Sequence, residues 1–403
     1  MMKYELWKIF SKSRNRIAVI LMLILCVVIG IMTVNRIEYV DENGNSSTGI
    51  VAARNLKSVK NQWSGYLTEE VFQKALRKNR QINASKEARS DDIQEQNKAF
   101  AKGQEISGVL DVIRVAFSDY RDYNYYAADS VTDEEAATVY DRRITTLKDW
   151  LDSGEEDYSD AEKAFLIRQY ETLDTPFYYE YFDGWSALLQ IIPTYLLVLA
   201  LIIGFLVSGI FSDEFQTKAD AIFFSSKCGR NKAIAAKAAA GVLIITVFYF
   251  VFVLLYTAGV LMVIGADGAG CPIQLDFWRS VYHITIFQAY LFIIAGGYIG
   301  TLLASSLAML ISAYSRSTAM AMIVPFIILC AFPFLSRIIT LPGVCTLFPD
   351  QLMEIYIDLK ESALFEIGGR VVTSAMIITP LYTIVSLILY PVIYQVYKRT
   401  EVK

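Results

Sequence analysis

The sequence predicts an all-α polytopic membrane protein, with six transmembrane helices and a mainly helical extracellular domain that carries a small β-hairpin. Three observations predict it. Of the 403 residues, 54% are hydrophobic and only 19% are charged, with a mean hydropathy of +0.38. That is too apolar for one soluble domain of this size. Six apolar runs recur along the chain, at 17–34, 185–211, 238–264, 282–313, 319–336 and 371–397. Each approaches or exceeds the roughly 20 residues that cross a bilayer as helix. The charge is also divided. Residues 37–184 carry 29 acids and 18 bases, a net of −11, whereas the rest of the chain carries 12 acids and 19 bases, a net of +7. Two differently solvated parts therefore share one chain.

Residues 1–16, MMKYELWKIFSKSRNR, predict a cytosolic amphipathic interfacial helix. Leu6, Ile9 and Phe10 line one face, with Tyr4 and Trp7 at its edge. Lys3, Lys8, Lys12, Arg14 and Arg16 suit an anionic inner leaflet. The first transmembrane helix falls within 17–36. A secretory signal peptide competes for this run, but the run is long for one, and TVNRIEY after it offers no small-x-small cleavage site. It reads as a retained anchor.

Residues 37–184 are the extracellular domain. Glu42-Asn43-Gly44-Asn45 is a hairpin turn signal. Val71, Ala75 and Leu76 share one face of a helix that starts after Thr68, and Val109, Val112, Ile113 and Phe117 make a second stripe. Thr132 and Glu135 spell a capping box, and Ser159 opens the last domain helix. The domain contains no cysteine, so no disulfide framework supports it. TPFYYEYFDGW, 175–185, marks the return to the membrane, because Tyr and Trp concentrate at its interface.

Residues 185–403 supply transmembrane helices two to six. Between the second and third lies SDEFQTKADAIFFSSKCGRNKAIAAK, which predicts a short amphipathic helix within 212–230. Ser212 is its N-cap, and Asp213 and Glu214 sit at its positive end. Phe215, Ala219, Ile222 and Phe223 form its apolar stripe, Lys227 lies near its C-terminus, and Gly229 stops it. This helix reads either as an interfacial anchor or as a transmission element gripped by a cytosolic partner. Residues 265–270 predict a flexible external turn. Gly296 and Gly300 permit close helix contact, within the chain or across a dimer. Residues 337–370 predict short external helices dipping into the outer leaflet. Cys271 and Cys345 both fall on the outer side, where they either pair or stay separate thiols. Bases cluster at Lys3 to Arg16, Lys218 to Lys237, Arg316, Lys398, Arg399 and Lys403, which places both termini in the cytoplasm.

Chemistry is bounded mostly by absence. The sequence has no GxxxxGK[ST] loop and no Cys/His cluster at metal spacing, and its only histidine is His283. The apolar runs hold almost no carboxylates, which disfavours coupling to an ion gradient. No nucleophile elbow or catalytic set suggests hydrolysis. The chain is therefore expected to be no enzyme, to hold no metal or cofactor of its own, and to bind no nucleic acid. A membrane receptor using 37–184 as its sensor remains the competing class.

The order of these parts resembles the permease subunit of a type-2 ABC exporter. FSDEFQTKADAIFFSSKCGRNKAIAAK, 211–237, carries the closest local likeness, with Glu214, the turn Ser225 to Gly229, Arg230 and Lys237 introducing the third span. The small residues of 302–321 and the external segment before the last span add to it. The large domain after the first span resembles permeases of Gram-positive peptide or antibiotic exporters. The resemblance covers 1–36 and about 185–403. It implies cytosolic ABC ATPase subunits that carry ATP and Mg and dock on the N-terminal helix and on Glu214, Phe215, Ile222, Phe223, Lys227 and Arg230. It also implies a second permease subunit, identical or paralogous, in a bacterial cell membrane. The net −11 of residues 37–184 reads either as a field that draws in cationic amphipathic peptides or a positively charged antibiotic, or as acidity that only keeps the domain soluble.

Overall fold

The computed structural model describes residues 1–335, 338 and 343–400. The opening of the expected external segment, 337–342 apart from 338, and Lys403 lie outside the described residues.

The chain starts with α1 (Met2–Ser11), whose Tyr4 and Trp7 are exposed and whose Ile9 is buried. An extended Lys12 separates it from α2 (Ser13–Val34). β1 (Glu38–Val40) and β2 (Ser46–Thr48) then pair antiparallel around the expected turn. Gly44 there takes φ 82°, and Asp41 Oδ1 accepts the Asn43 and Asn45 amides at 2.9 Å each. The polar domain is built from α3 (Gly49–Lys60), α4 (Glu69–Asn83), α5 (Ile93–Gly103), α6 (Ser107–Ala116), α7 (Val139–Ser153) and α8 (Asp160–Glu171). A two-residue ladder, β3 (Gly65–Tyr66) with β4 (Tyr178–Tyr179), closes it. Its core holds Phe72, Leu76, Ile106, Val109, Ile113 and Leu147, all at or below 1% exposure. Thr132 and Glu135 exchange the reciprocal bonds of a capping box, at 2.9 and 3.2 Å, as do Ser159 and Glu162.

The chain re-enters the bundle through α9 (Asp183–Val207). Tyr179, Tyr181 and Trp185 are buried inside the protein rather than standing at a lipid interface. Their apolar bodies join the polar domain to the bundle, and Trp185 Nε1 donates to Ala266 O at 3.0 Å. After α9 come α10 (Asp213–Gln216) and α11 (Asp220–Ser225), then α12 (Lys232–Ile264) and α13 (Ile286–Ser315). The connection from α12 to α13 is not the flexible turn expected. Gly265 and Gly268 adopt positive φ, Pro272 bridges Thr285, and Cys271 and Ile273 are fully buried. α13 starts only at Ile286, because Thr285 and Gln288 form a capping box there.

α14 (Thr318–Leu335) contains Pro325 and Pro333. Two 3₁₀ turns follow, Gly343–Leu347 and Pro349–Leu352, then α15 (Ile355–Lys360). A hairpin of β5 (Leu364–Ile367) and β6 (Arg370–Thr373) turns at Gly368 and Gly369, both at positive φ, and leads into α16 (Ser374–Lys398). Among the described residues, five helices are long and apolar enough to cross a membrane, namely α2, α9, α12, α13 and α16. α14 is a shorter apolar helix beside them.

α13 is the centre of the bundle, packing against α9, α14 and α16. A Cβ on its Gly297 would stand 2.7 Å from both Leu196 Cδ1 and Tyr249 Oη. Gly296 and Gly300 face Leu352, Met353 and Ile355 of the same chain. Gly300 is fourteen residues into α13, roughly 20 Å along its axis. The turn at 349–352 therefore dips deep between α13, α14 and α16. It carries Asp350 to 1% exposure, with Oδ1 unpaired. Of the two alternatives for Cys271 and Cys345, the structure has the separate thiols. Both are free thiols, Cys271 tucked against Glu180 O and Cys345 in the first 3₁₀ turn.

Candidate functional site

The stretch 212–230 is not one amphipathic helix. α10 and α11 are short helices broken at Lys218, which takes φ 54°. Ser212 precedes α10, but its hydroxyl pairs with Thr318 Oγ1 at 2.7 Å instead of capping. Gly229 does not end a helix either. α11 stops at Ser225, and a Cβ on Gly229 would collide with the Phe223 backbone and meet Ser226 Oγ at 2.8 Å. Close approach of two backbones requires glycine there.

The acids at this position point inward. Glu214 is 4% exposed and Lys237, near the start of α12, is 0% exposed. Glu214 Oε1 accepts from Lys237 Nζ at 2.6 Å and from Lys8 of α1, and its Oε2 accepts from Tyr397 of α16 at 3.3 Å. Lys237 places its other protons on Ile210 O at 2.9 Å and Glu5 at 3.1 Å. Asp213 pairs with Lys12 and lies 3.6 Å from Arg14. One clasp thus ties α1, the α9–α12 connection, α12 and α16 together. Each buried charge in it has a partner, as buried charges require.

Burial alone would push the Glu214 carboxyl up. The Lys237 and Lys8 ammonium groups outweigh it and hold the carboxyl below the usual carboxylate range. For Lys8, burial opposes the charge, yet Glu214, Glu5 and Asp213 raise it above the usual lysine range. Burial wins at Lys12, which is lowered despite its bond to Asp213.

An aromatic cluster lies beside the charges. Tyr397, 0% exposed, has ring centroids 4.9 Å from Phe211, 5.2 Å from Phe224, 6.0 Å from Phe223 and 6.1 Å from Phe215. Arg230 stacks on Phe224 at 4.9 Å and donates to Lys398 O at 2.8 Å and Thr400 O at 3.1 Å. Of the residues expected to meet a partner, Glu214, Phe215, Phe223 and Arg230 are thus engaged within the chain. Ile222 (76%) and Lys227 are exposed, as is Lys218 at the break between α10 and α11.

Lys237 and Tyr397 as partners of Glu214 escaped the sequence reading. An isolated lysine one turn inside an apolar helix is a signal for Lys237, since such a charge needs a counter-charge. Nothing in the sequence marks Tyr397. Asp350 was also missed, because its local sequence looks like an external loop.

A family model of ABC-2 family transporter proteins matches residues 16–393. The chain belongs to this family. It is the membrane permease component of an ABC transporter, and membership implies an ABC ATPase as partner. No curated protein and no solved structure matches the chain. The matched stretch runs from within α2 to within α16 and includes the polar domain, Glu214 and Lys237.

Proposed function

We propose that this ABC-2 permease has six spans, with α14 as the fifth, and that the clasp end faces the cytoplasm and residues 37–184 face outside. ATP is hydrolysed on separate ATPase subunits, and a second permease subunit completes the pathway. The guest is a peptide, an antibiotic or a lipid-like amphiphile moved out of or cleared from the membrane. Excess bases at the clasp end support this orientation.

The observation that carries the coupling proposal is the division of 212–230 into two faces. The outward face, Lys218, Ile222 and Lys227, is free to meet an ATPase. The inward face, Glu214, Phe223 and Arg230, reaches α1, α12 and α16. An ATPase that holds the rim differently in its two nucleotide states would shift the bundle between two arrangements through these contacts. The Glu214 carboxylate then positions the moving parts and does not itself touch the ATPase. Co-purification tests this assignment. Ile222→Asp is expected to lose the ATPase while leaving the chain folded in the membrane. Lys237→Ala is expected to keep the ATPase but uncouple hydrolysis from transport. An Ile222→Asp protein that retains its ATPase and transports normally refutes the rim.

A further inference from the structure

At the junction of the polar domain and the bundle lies a cavity of about 310 Å³. That volume is at the small end of ligand pockets. Its wall joins α6 and α7 of the domain, the start of α9, and the turn at 274–278. Phe177, Phe182 and Trp278 give it apolar surface. Several of its polar groups answer each other. Lys60 pairs with Asp183 at 2.6 Å, and Tyr123 donates to Asp111 at 2.9 Å.

Three polar groups in the wall are not answered in that way. Arg143 is 8% exposed and has no ion-pair partner among the described residues. It donates to Trp278 O at 3.2 Å and lies against the Tyr170 and Phe177 rings at 4.5 and 5.5 Å. A buried guanidinium without a carboxylate is unusual, since a buried charge costs several kcal/mol unless paired. Asp276 is half-buried and accepts from the Ser186 hydroxyl at 2.7 Å, without an ion pair among the described residues. Gln274 is 4% exposed, and its Nε2 donates to Ser280 O at 3.2 Å and Tyr282 O at 2.7 Å. Two carbonyls fix the amide in that orientation, and its Oε1 is buried without a hydrogen-bond partner. Gln274 and Asp276 are two residues apart on one turn.

We infer that this cavity binds a small zwitterion, its anionic end on the Arg143 guanidinium, its ammonium on the Asp276 carboxylate, and its apolar part against Phe177, Phe182 and Trp278. The cavity offers one unpaired cation and one unpaired carboxylate among the described residues, so a ligand of single charge leaves one of them unanswered. An amino acid or dipeptide has this chemistry, and so does a phosphoethanolamine headgroup, which can reach the start of α9 from the membrane surface. The inference rests on the proposed function only for the side of the membrane from which the ligand arrives. Its test needs neither an ATPase nor transport.

The test is calorimetric titration of the full chain in nanodiscs of phosphatidylglycerol, which offers no ammonium. The probes are the dipeptide Phe-Gly, its N-acetyl form, its C-terminal amide, and phosphoethanolamine. Saturable binding of Phe-Gly, weakened about tenfold or more by blocking either end, is expected, because each block removes one charge-assisted pairing. Tighter binding of phosphoethanolamine than of Phe-Gly also supports the site and assigns it to headgroups. Asp276→Asn and Arg143→Gln should each weaken the preferred probe by a similar factor. Gln274→Leu, which keeps both charges, should weaken it less. If Arg143→Gln does not fold, Asp276→Asn and the blocked probes carry the test. Absence of binding by both zwitterions at millimolar concentration overturns the inference. So does equal binding of the blocked forms, or unchanged affinity in Asp276→Asn.

Discussion

Replacing Lys237 by alanine removes the one fully buried cation of the clasp and leaves Glu214 with Lys8 and Tyr397. At the 2.6 Å separation of the Lys237–Glu214 pair, an effective dielectric of about 20 gives a gross attraction of roughly 6 kcal/mol. Desolvation of both groups offsets much of it. Breaking a buried pair from one side typically costs about 3–5 kcal/mol, because the other charge stays buried. Here Lys8 continues to neutralise Glu214, so the lower end, about 3 kcal/mol, is expected. Glu214→Gln should cost a similar amount, since Lys237 keeps Glu5 and Ile210 O. The double variant should cost clearly less than the sum, with a coupling of at least about 1 kcal/mol. Thermal unfolding of the detergent-solubilised protein would register each single change as a fall of a few °C. Limited trypsin digestion reads the same clasp locally. Loosening of α1 exposes Lys8, Lys12 and Arg14, so cleavage at the N-terminus should quicken in both variants. Unchanged melting and unchanged cleavage in Lys237→Ala would refute the clasp as a stabilising element.

Other consequences follow from the same geometry. The depressed Glu214 carboxyl contributes stability that is present above the unfolded carboxylate range and lost as pH falls through the folded value. N-terminal trypsin protection, compared by quenched digestion, should therefore stay flat near neutrality and fall only in acid. Asp276 behaves oppositely, because burial pushes it up to about 6, against the Ser186 hydroxyl and Lys360, with Asp183 adding to the rise. Its ionisation disfavours the fold as pH rises through that value, so Asp276→Asn should melt higher than the parent at pH 7 by on the order of 1–3 kcal/mol and lose that pH slope. Gly297→Leu should overpack α13 against Leu196 and Tyr249 and cost about 1–3 kcal/mol, visible as poor yield and early melting. Glu361→Gln breaks the Arg121 and Arg279 pairs but should cost less than about 1 kcal/mol, since these side chains are partly exposed and solvent screens them.

Much of the architecture was legible in the sequence because its signals are local. Uncharged runs of about twenty residues mark the helices, and Glu42 to Asn45 mark the hairpin. Thr132 with Glu135 marks a capping box. The exchange of partners across the chain was not legible. Asp213 and Glu214 look like surface acids at a helix start, and only the return of α1 and α16 to the same place buries them. Lys218 offers no warning that it will break the helix. The hairpin at 364–373 did carry a signal, Gly368-Gly369 between two β-prone runs, that a closer reading would find. The depth of Asp350 carried none, since Leu347 to Leu352 reads as an apolar loop until Gly296 and Gly300 make room for it. At the junction, Arg143 and Asp276 lie far apart in sequence and meet one cavity only through the fold.

The central claim is that the partner ATPase holds the outward rim of 212–230 while the clasp behind it carries the motion. Site-specific photo-crosslinking in native membranes tests it most directly, with a benzophenone amino acid placed at Ile222 and, as a control, at Met262, which is 85% exposed near the far end of α12. The account predicts a crosslinked ATPase from position 222 and none from position 262. An ATPase captured at 262, or at neither position while it still co-purifies with the chain, would contradict it.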